Sequence, residues 1–227
     1  AQIILSLNAM KSLFSPAQMA KVMSYDPDLI FVNLNSRNSR NDNPLLLGSK
    51  AFFLKQLQQF ELPVPPAFVI STELFRHRDI INAHPGIELE TDELLRENIA
   101  RIESQTGLRY GDPEAPLLFS VRSGAPMSLP GAMDTFLNIG LNDEITLRLS
   151  KRPNFGWTSW DCYRRLIQSW GMAYNIDRDE FDGVMIDFKR RYKVKLKTQF
   201  SPAQMRKMCD AYKAVLASHG VTLEQDP

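Results

Sequence analysis

Ser120-Val121-Arg122-Ser123-Gly124-Ala125-Pro126-Met127-Ser128-Leu129-Pro130-Gly131-Ala132-Met133-Asp134-Thr135 is the stretch on which the reading of this chain turns. Just upstream, Pro116-Leu117-Leu118-Phe119-Ser120-Val121 predicts a buried strand, and downstream Thr135-Phe136-Leu137-Asn138-Ile139 predicts a second. The Ser, Gly and Pro between them are loop residues. Arg122 stands at the strand end, where its planar fork is suited to phosphate oxygens. Gly124 and Gly131 would let backbone approach a ligand closely. The same spacing also fits a plain connection in which Arg122 pairs with an acid such as Asp134. Spacing alone leaves both readings open.

Working outward toward the N-terminus, Gly48 to Phe60 reads as a helix with Phe53, Leu57 and Phe60 on one face. It opens on Leu47-Gly48-Ser49-Lys50-Ala51. Amides and dipole at a helix start favour an anion, and a lysine there adds a point charge suited to phosphate. The pattern is shorter than a P-loop and also fits a plain helix start. Pro63-Val64-Pro65-Pro66 breaks the helix. Ala67-Phe68-Val69-Ile70 then predicts a short buried strand entering a helix capped by Ser71 or Thr72, and residues 91–105 predict a charged amphipathic helix. Beyond Asn142 the pattern is helical over 143–151, 158–174, 178–193 and 202–218. Mixed strands and helices followed by a helical run give an α+β class.

The first 46 residues differ in character and read as an extension and linker. They carry helical signals, the apolar stretch Leu29-Ile30-Phe31-Val32, and the polar run from Asn33 to Pro44, which has neither period. Residues 47–227 read as the main body, with 47–142 mixed and 143–227 mainly helical. Phe-Ser-Pro-Ala-Gln-Met occurs twice, at 14–19 and 200–205. Serine before a helix, proline at its first position and glutamine three residues after the serine make a capping box, so each copy predicts a helix start. The flanks do not match over the length a structural repeat needs.

The chain has 227 residues, with 27 Lys+Arg against 26 Asp+Glu. That length fits one large or two small domains. Apolar residues at 44% and charged ones at 23% are globular values, which exclude a disordered or fibrous chain. Near-zero net charge removes the electrostatic signature of a dedicated nucleic-acid binder. The apolar runs are all shorter than the roughly 18 residues that cross a bilayer, so no membrane partner is expected. Two cysteines, Cys162 and Cys209, are too few for a disulfide framework and point to a reduced, cytoplasmic setting. The start at Ala1 and the end at Pro227 suggest a piece of something longer.

Four segments, in order, resemble the pyruvate, phosphate dikinase family. Gly48-Ser49-Lys50-Ala51-Phe52-Phe53-Leu54 followed by Leu62-Pro63-Val64-Pro65-Pro66-Ala67-Phe68 is similar to that family's glycine-lysine helix start and Leu-Pro-Val-Pro-Pro-Gly-Phe segment. The Ser-Val-Arg-Ser-Gly-Ala loop, through Leu129-Pro130-Gly131-Ala132-Met133-Asp134-Thr135, resembles its signature. Asp161-Cys162-Tyr163-Arg164-Arg165-Leu166-Ile167-Gln168 resembles its Asp-Ser-Tyr-Arg-Arg-Phe-Ile-Gln helix, and Gln225-Asp226-Pro227 also fits.

The resemblance implies the N-terminal part of an ATP-grasp-type nucleotide-binding domain over 47–227. In the family, phosphate passes from ATP to a histidine on another domain and from there to pyruvate, giving phosphoenolpyruvate. By position, Lys50 and Arg122 would hold ATP phosphates, Gly131 and Thr135 would lie in the covering loop, and Ser123, Gly124 and Asp134 would support it. ATP and Mg2+ are the implied cofactors. The metal ligands, phospho-histidine domain and pyruvate domain are expected beyond residue 227, and a homodimer of the full-length protein is compatible with the resemblance. Ser49 and Ala51 replace two family glycines, Phe52-Phe53 replaces Ala-Asn, and Pro126 replaces an arginine. Phosphoenolpyruvate synthase and an antibiotic phosphotransferase are alternatives with the same domain. A degenerate nucleotide-binding sensor or scaffold is the alternative of another class.

The remaining chemical side chains read as structural. His77, His84 and His219 have no metal spacing and read as surface or capping residues. Both cysteines read as packed thiols. Lys189, Arg190, Arg191, Lys193, Lys195 and Lys197 read as a solvated helix end or a dock for an acidic partner. Trp157, Trp160, Trp170, Tyr163 and Tyr174 have helical packing spacing.

Overall fold

A computed structural model of the chain describes Ser24 and residues 26–34, 42–124 and 135–223. The copy of the hexapeptide at 14–19, Gly131, Asp134 and the closing Gln225-Asp226-Pro227 lie outside the described residues. Helices dominate and the sheets are small and antiparallel, an α+β protein. The chain divides into two compact units, one taking the described residues up to Gln105 together with Gly124, the other the remainder. Among the described residues no helix is long and apolar enough to cross a membrane.

In the first unit, helix α1 (Pro27–Ile30) is capped by Asp26 and runs directly into strand β1 (Phe31–Asn33). β1 pairs antiparallel with β2 (Phe68–Ile70), setting Phe31 opposite Ile70 and Asn33 opposite Phe68. Ile30, Val32 and Leu34 are buried, so this end of the polar run belongs to a packed structure. Ser71 secures the junction: its hydroxyl donates to the Leu29 carbonyl at 2.6 Å and accepts from the Glu73 amide, capping α4 (Thr72–Ala83). The same cap that starts the helix therefore ties it to α1. Two short elements, α2 (Pro44–Leu47) and α3 (Ser49–Gln59), lie between the strands, and α5 (Pro85–Thr106) follows α4. α5 begins six residues before the predicted helix at 91, because Pro85 serves as a first-turn residue and not as a breaker. The stripe Phe53, Leu57 and Phe60 is exposed, whereas Lys55 is the buried position of α3.

Among its described residues the second unit holds a two-stranded ribbon and four helices. β3 (Phe119–Arg122) pairs antiparallel with β4 (Thr135–Ile139), with Val121 opposite Phe136 and a register irregularity after Phe119. The expected burial of the first strand is corrected here. Val121 is 49% exposed, because a two-stranded ribbon cannot cover both faces of its strands. Helices α6 (Asp143–Ser150), α7 (Gly156–Ala173), α8 (Arg178–Tyr192) and α9 (Pro202–Ser218) follow, with a 3-10 turn at Lys197–Gln199. Met205, Met208, Cys209, Tyr212 and Leu216 repeat at helical spacing along α9 and are fully buried against α7 and α8.

The capping box predicted for residues 200–205 is present. Ser201 Oγ accepts from the Gln204 amide at 3.2 Å, and Gln204 Oε1 accepts from the Ser201 amide at 2.7 Å. Phe200, just before the cap, is buried and packs edge-on against Tyr192, fixing the angle at which the chain enters α9.

Candidate functional site

Gly48 is the pivot of the first motif. It ends α2, its amide donating to the Pro44 carbonyl at 2.9 Å, and it is also the N-cap of α3. Its backbone has φ 74° and ψ 153°, a combination essentially restricted to glycine. Having no side chain, it provides no cap bond to the first turn of α3. Gly48 itself therefore satisfies none of the amides at the positive end of this helix dipole. Lys50, in that turn, is exposed and has no acidic partner among the described residues. Lys55, further along the same helix, is 2% exposed and paired with Asp42. One lysine of α3 is spent on the fold and the other is not.

Gly124, the first glycine of the second motif, belongs to this unit. A Cβ built on it would lie 3.7 Å from the Leu47 carbonyl oxygen and 3.8 Å from Gly48 Cα. Two loops distant in sequence are therefore in backbone contact at the turn that launches α3. Gly48→Ala is expected to lower the unit's stability by about 1–3 kcal/mol, because alanine resists the positive φ. Gly124→Ala, with ordinary contact distances around the new methyl, is expected to cost little. Thermal unfolding of the two variants side by side checks the contrast.

In the second unit, Arg122 sits opposite Thr135, the register position that closes the stem of the loop. Arg122 and Ser123 are exposed, and Thr135 is half-buried. Arg122 has no acidic partner among the described residues. Gly131 and Asp134, and with them the alternative Arg122–Asp134 pair, lie outside the described residues. An unpaired guanidinium suits phosphate oxygens, and so does an ammonium beside helix-terminal amides. Each motif by itself therefore has donors that fit the phosphates of a nucleotide. No group of three or more His, Cys, Asp or Glu that could hold a metal occurs among the described residues.

The motif from Asp161 to Gln168 forms a polar network inside the helical unit, largely on itself. The Asp161 carboxylate, 4% exposed, accepts from Arg164 Nε at 2.9 Å, Arg165 Nε at 3.2 Å and Lys197 Nζ at 2.8 Å. Arg164 also donates to Gln168 Oε1 and lies over the Tyr212 ring. Burial alone would raise the Asp161 pKa. Hydrogen bonds and charge from Lys197 and Arg164 outweigh it and hold the carboxyl below its ordinary range. The i, i+3 and i+4 spacing of Asp161, Arg164 and Arg165 is legible in the sequence as a helical ion cluster. The arrival of Lys197 is not, and it corrects the reading of that lysine as part of a solvated helix end.

Other side chains sort as follows. His77 is corrected from surface to core: it is 1% exposed, with Nδ1 3.0 Å from the Glu73 carbonyl and Nε2 3.3 Å from Ser24 Oγ. His84 caps α4 at its C-terminal end, and His219 ends α9 and meets Glu180 at 2.9 Å. Cys209 is a packed thiol, pushed up to about 12 by burial and bonded to the Trp160 carbonyl. Trp160 and Tyr163 are core residues, and Trp157 and Trp170 pack at its edge. Tyr174 is 57% exposed and rests on Trp170.

No family model matches the chain. It is 37% identical to pyruvate, phosphate dikinase of Entamoeba histolytica over 171 residues, 75% of this chain and 19% of that protein. The enzyme of the same name from Rhizobium meliloti is 36% identical over 183 residues, 80% of this chain and 20% of that protein. That from Clostridium symbiosum is 32% identical over 185 residues, again 80% of this chain and 21% of the relative. The chain thus spans about one fifth of the length of the curated relatives it matches. Sequence relatives from distant organisms that agree in name, together with four ordered motifs in the chain itself, make the chain similar to one portion, about a fifth, of a pyruvate, phosphate dikinase.

Proposed function

We propose that the chain is the N-terminal part of the ATP-grasp-type nucleotide-binding domain of a pyruvate, phosphate dikinase-like phosphotransferase. Its task is to place ATP so that phosphate passes to a histidine on another domain of the longer polypeptide and then to pyruvate, yielding phosphoenolpyruvate. The observation that carries this reading is the Gly48 turn: a helix start without a side-chain cap, where Lys50 has no acidic partner among the described residues and against which Gly124 packs. Lys50 and Arg122 are each assigned to the phosphates of ATP. Gly131 and Thr135 are assigned to the loop covering them, with Ser123, Gly124 and Asp134 supporting it. Such a domain contributes positioning and charge neutralisation, the two effects on which phosphoryl transfer chiefly depends. Mg2+ would accompany the nucleotide and screen its phosphates, with its carboxylate ligands on another part of the polypeptide.

In the full-length protein, Lys50→Ala and Arg122→Ala are each expected to weaken Mg-ATP binding by about 1–3 kcal/mol, the scale of a charge-assisted hydrogen bond. Isothermal titration calorimetry reads this directly, and unchanged affinity in both variants would remove the assignment. The 227-residue chain alone is expected to bind nucleotide weakly and to turn none over, since it spans one fifth of its relatives. Ser49 and Ala51, standing where the family has glycines, favour the second reading, a nucleotide sensor or scaffold. ATP binding by the full-length protein without phosphoryl transfer to a histidine would select it.

A further inference from the structure

α3 carries two lysines with opposite surroundings. Lys50, in the first turn, is exposed and has no acidic partner among the described residues. Lys55 is 2% exposed and paired with Asp42. Five positions along a helix rotate a side chain by about 140°, so Lys55 leaves α3 on a different side from Lys50. A buried ammonium is costly to desolvate, and a carboxylate offsets that cost only in part. A methionine of similar volume would fill the position without the charge. Burial alone thus gives no reason for an ion pair here. What a charge pair adds over an apolar contact is a defined partner and register.

The partner stands on the other side of the Gly48 turn in sequence. Asp42 directly precedes Asn43, the N-cap of α2, whose Oδ1 accepts from the Leu45 amide at 2.8 Å. α2 is one turn long and ends at Gly48, whose amide donates to the Pro44 carbonyl at 2.9 Å. α3 begins at the next residue. Bonds of this kind hold a helix internally and leave the angle between two helices to contacts across the corner. α2 is fixed by Leu47, which is buried, and by Thr72 Oγ1, which donates to the Leu45 carbonyl at 3.1 Å. On α3 the buried residue is Lys55, and its pairing with Asp42 closes the segment 42–55 around the turn.

We propose that Asp42 and Lys55 are positioning residues for the anion site at the Gly48 turn. Their ion pair fixes the angle between α2 and α3, and so holds Lys50 and the start of α3 in place for a phosphate group that neither Asp42 nor Lys55 touches. The inference rests on the assignment of this turn to the phosphates of a nucleotide.

The test is calorimetric titration of the full-length protein with Mg-ATP and with adenosine, which lacks phosphate, beside thermal unfolding of each variant. Asp42→Asn and Lys55→Met should each weaken Mg-ATP binding about three- to tenfold, the affinity equivalent of one hydrogen bond, and leave adenosine binding unchanged. Asp42→Glu, which keeps the carboxylate, should lose less than Asp42→Asn. The double variant Asp42→Asn/Lys55→Met strands no charge, so it should unfold near the wild-type temperature and still bind Mg-ATP weakly. Should Lys55→Met fail to fold, Asp42→Asn carries the test, since the Asp42 side chain is 29% exposed. Wild-type Mg-ATP affinity in the double variant would make the pair a matter of the fold alone and overturn the proposal, as would equal weakening of ATP and adenosine. Lys50→Ala separates the two levels. If it weakens Mg-ATP binding and the Asp42 and Lys55 variants do not, this proposal alone falls; if it has no effect, the phosphate assignment of the turn falls and this proposal with it.

Discussion

Asp161→Ala is expected to destabilise the helical unit by about 3–5 kcal/mol, the scale for removing one partner from a buried charge cluster. The loss arises less from the vanished attraction than from what remains. Arg164, itself buried, would keep its charge with no anion to neutralise it, and Lys197 would lose the anchor that holds the 3-10 turn against α7. The measurement is clean because Trp157, Trp160 and Trp170 all lie on α7, so tryptophan fluorescence during urea unfolding reports this unit. The pH dependence adds a second readout. Lys197 and Arg164, against the opposing effect of burial, place the folded pKa of Asp161 below its unfolded value. The unfolded state therefore binds the proton first, and the stability due to this carboxylate is complete above the ordinary aspartate range. It is lost as pH falls through the depressed folded value. Wild type minus Asp161→Asn should accordingly be a constant difference near neutrality that shrinks only in strong acid. A difference that instead changed between about pH 6 and 8, the range in which histidines titrate, would mean that some other group carries the effect.

The sequence is most informative where structure is local. Ser201, Pro202 and Gln204 announce α9 because a capping box is satisfied within four consecutive residues. Ser71, Asn142 and Asp177 cap helices for the same reason, and Thr135–Ile139 appears as a strand with the bounds its composition predicts. What escapes is whatever depends on a distant partner. His77 looks like a surface residue until Ser24 reaches it, and Lys197 looks like one more charge in a basic run until α7 presents Asp161. Phe53, Leu57 and Phe60 show the opposite failure, since helical spacing predicts a shared face without saying what, if anything, covers it. At the candidate site, Lys50 and Gly48 are recognisable from sequence as a helix start suited to anions. The contact between Gly124 and Gly48 is not, because it joins two loops whose separation in sequence no periodicity encodes. Family resemblance links the two motifs by order alone, whereas the approach of Gly124 to Gly48 is a contact within the first unit.

Phe181→Ala is expected to cost about 3–5 kcal/mol, the range for deleting a buried aromatic ring. The ring is fully buried, 5.1 Å from the Tyr212 ring, and it fills the space that Gly171 leaves open on α7. A Cβ at position 171 would come within 2.6 Å of both Phe181 Cζ and Leu216 Cδ2, so the glycine is required by packing and not by its backbone conformation. Gly171→Ala should therefore destabilise by about 1–3 kcal/mol through overpacking, although alanine is the better helix former by about 1 kcal/mol. The informative result is the double variant. With the ring gone, the methyl introduced by Gly171→Ala has room, and Leu216 can shift toward the vacated volume. The combined cost should fall short of the sum of the single costs by about 1 kcal/mol or more, a coupling expected only of residues in contact. Strict additivity in urea unfolding would place Phe181 elsewhere than against Gly171, and with it the packing of α8 across α7 and α9.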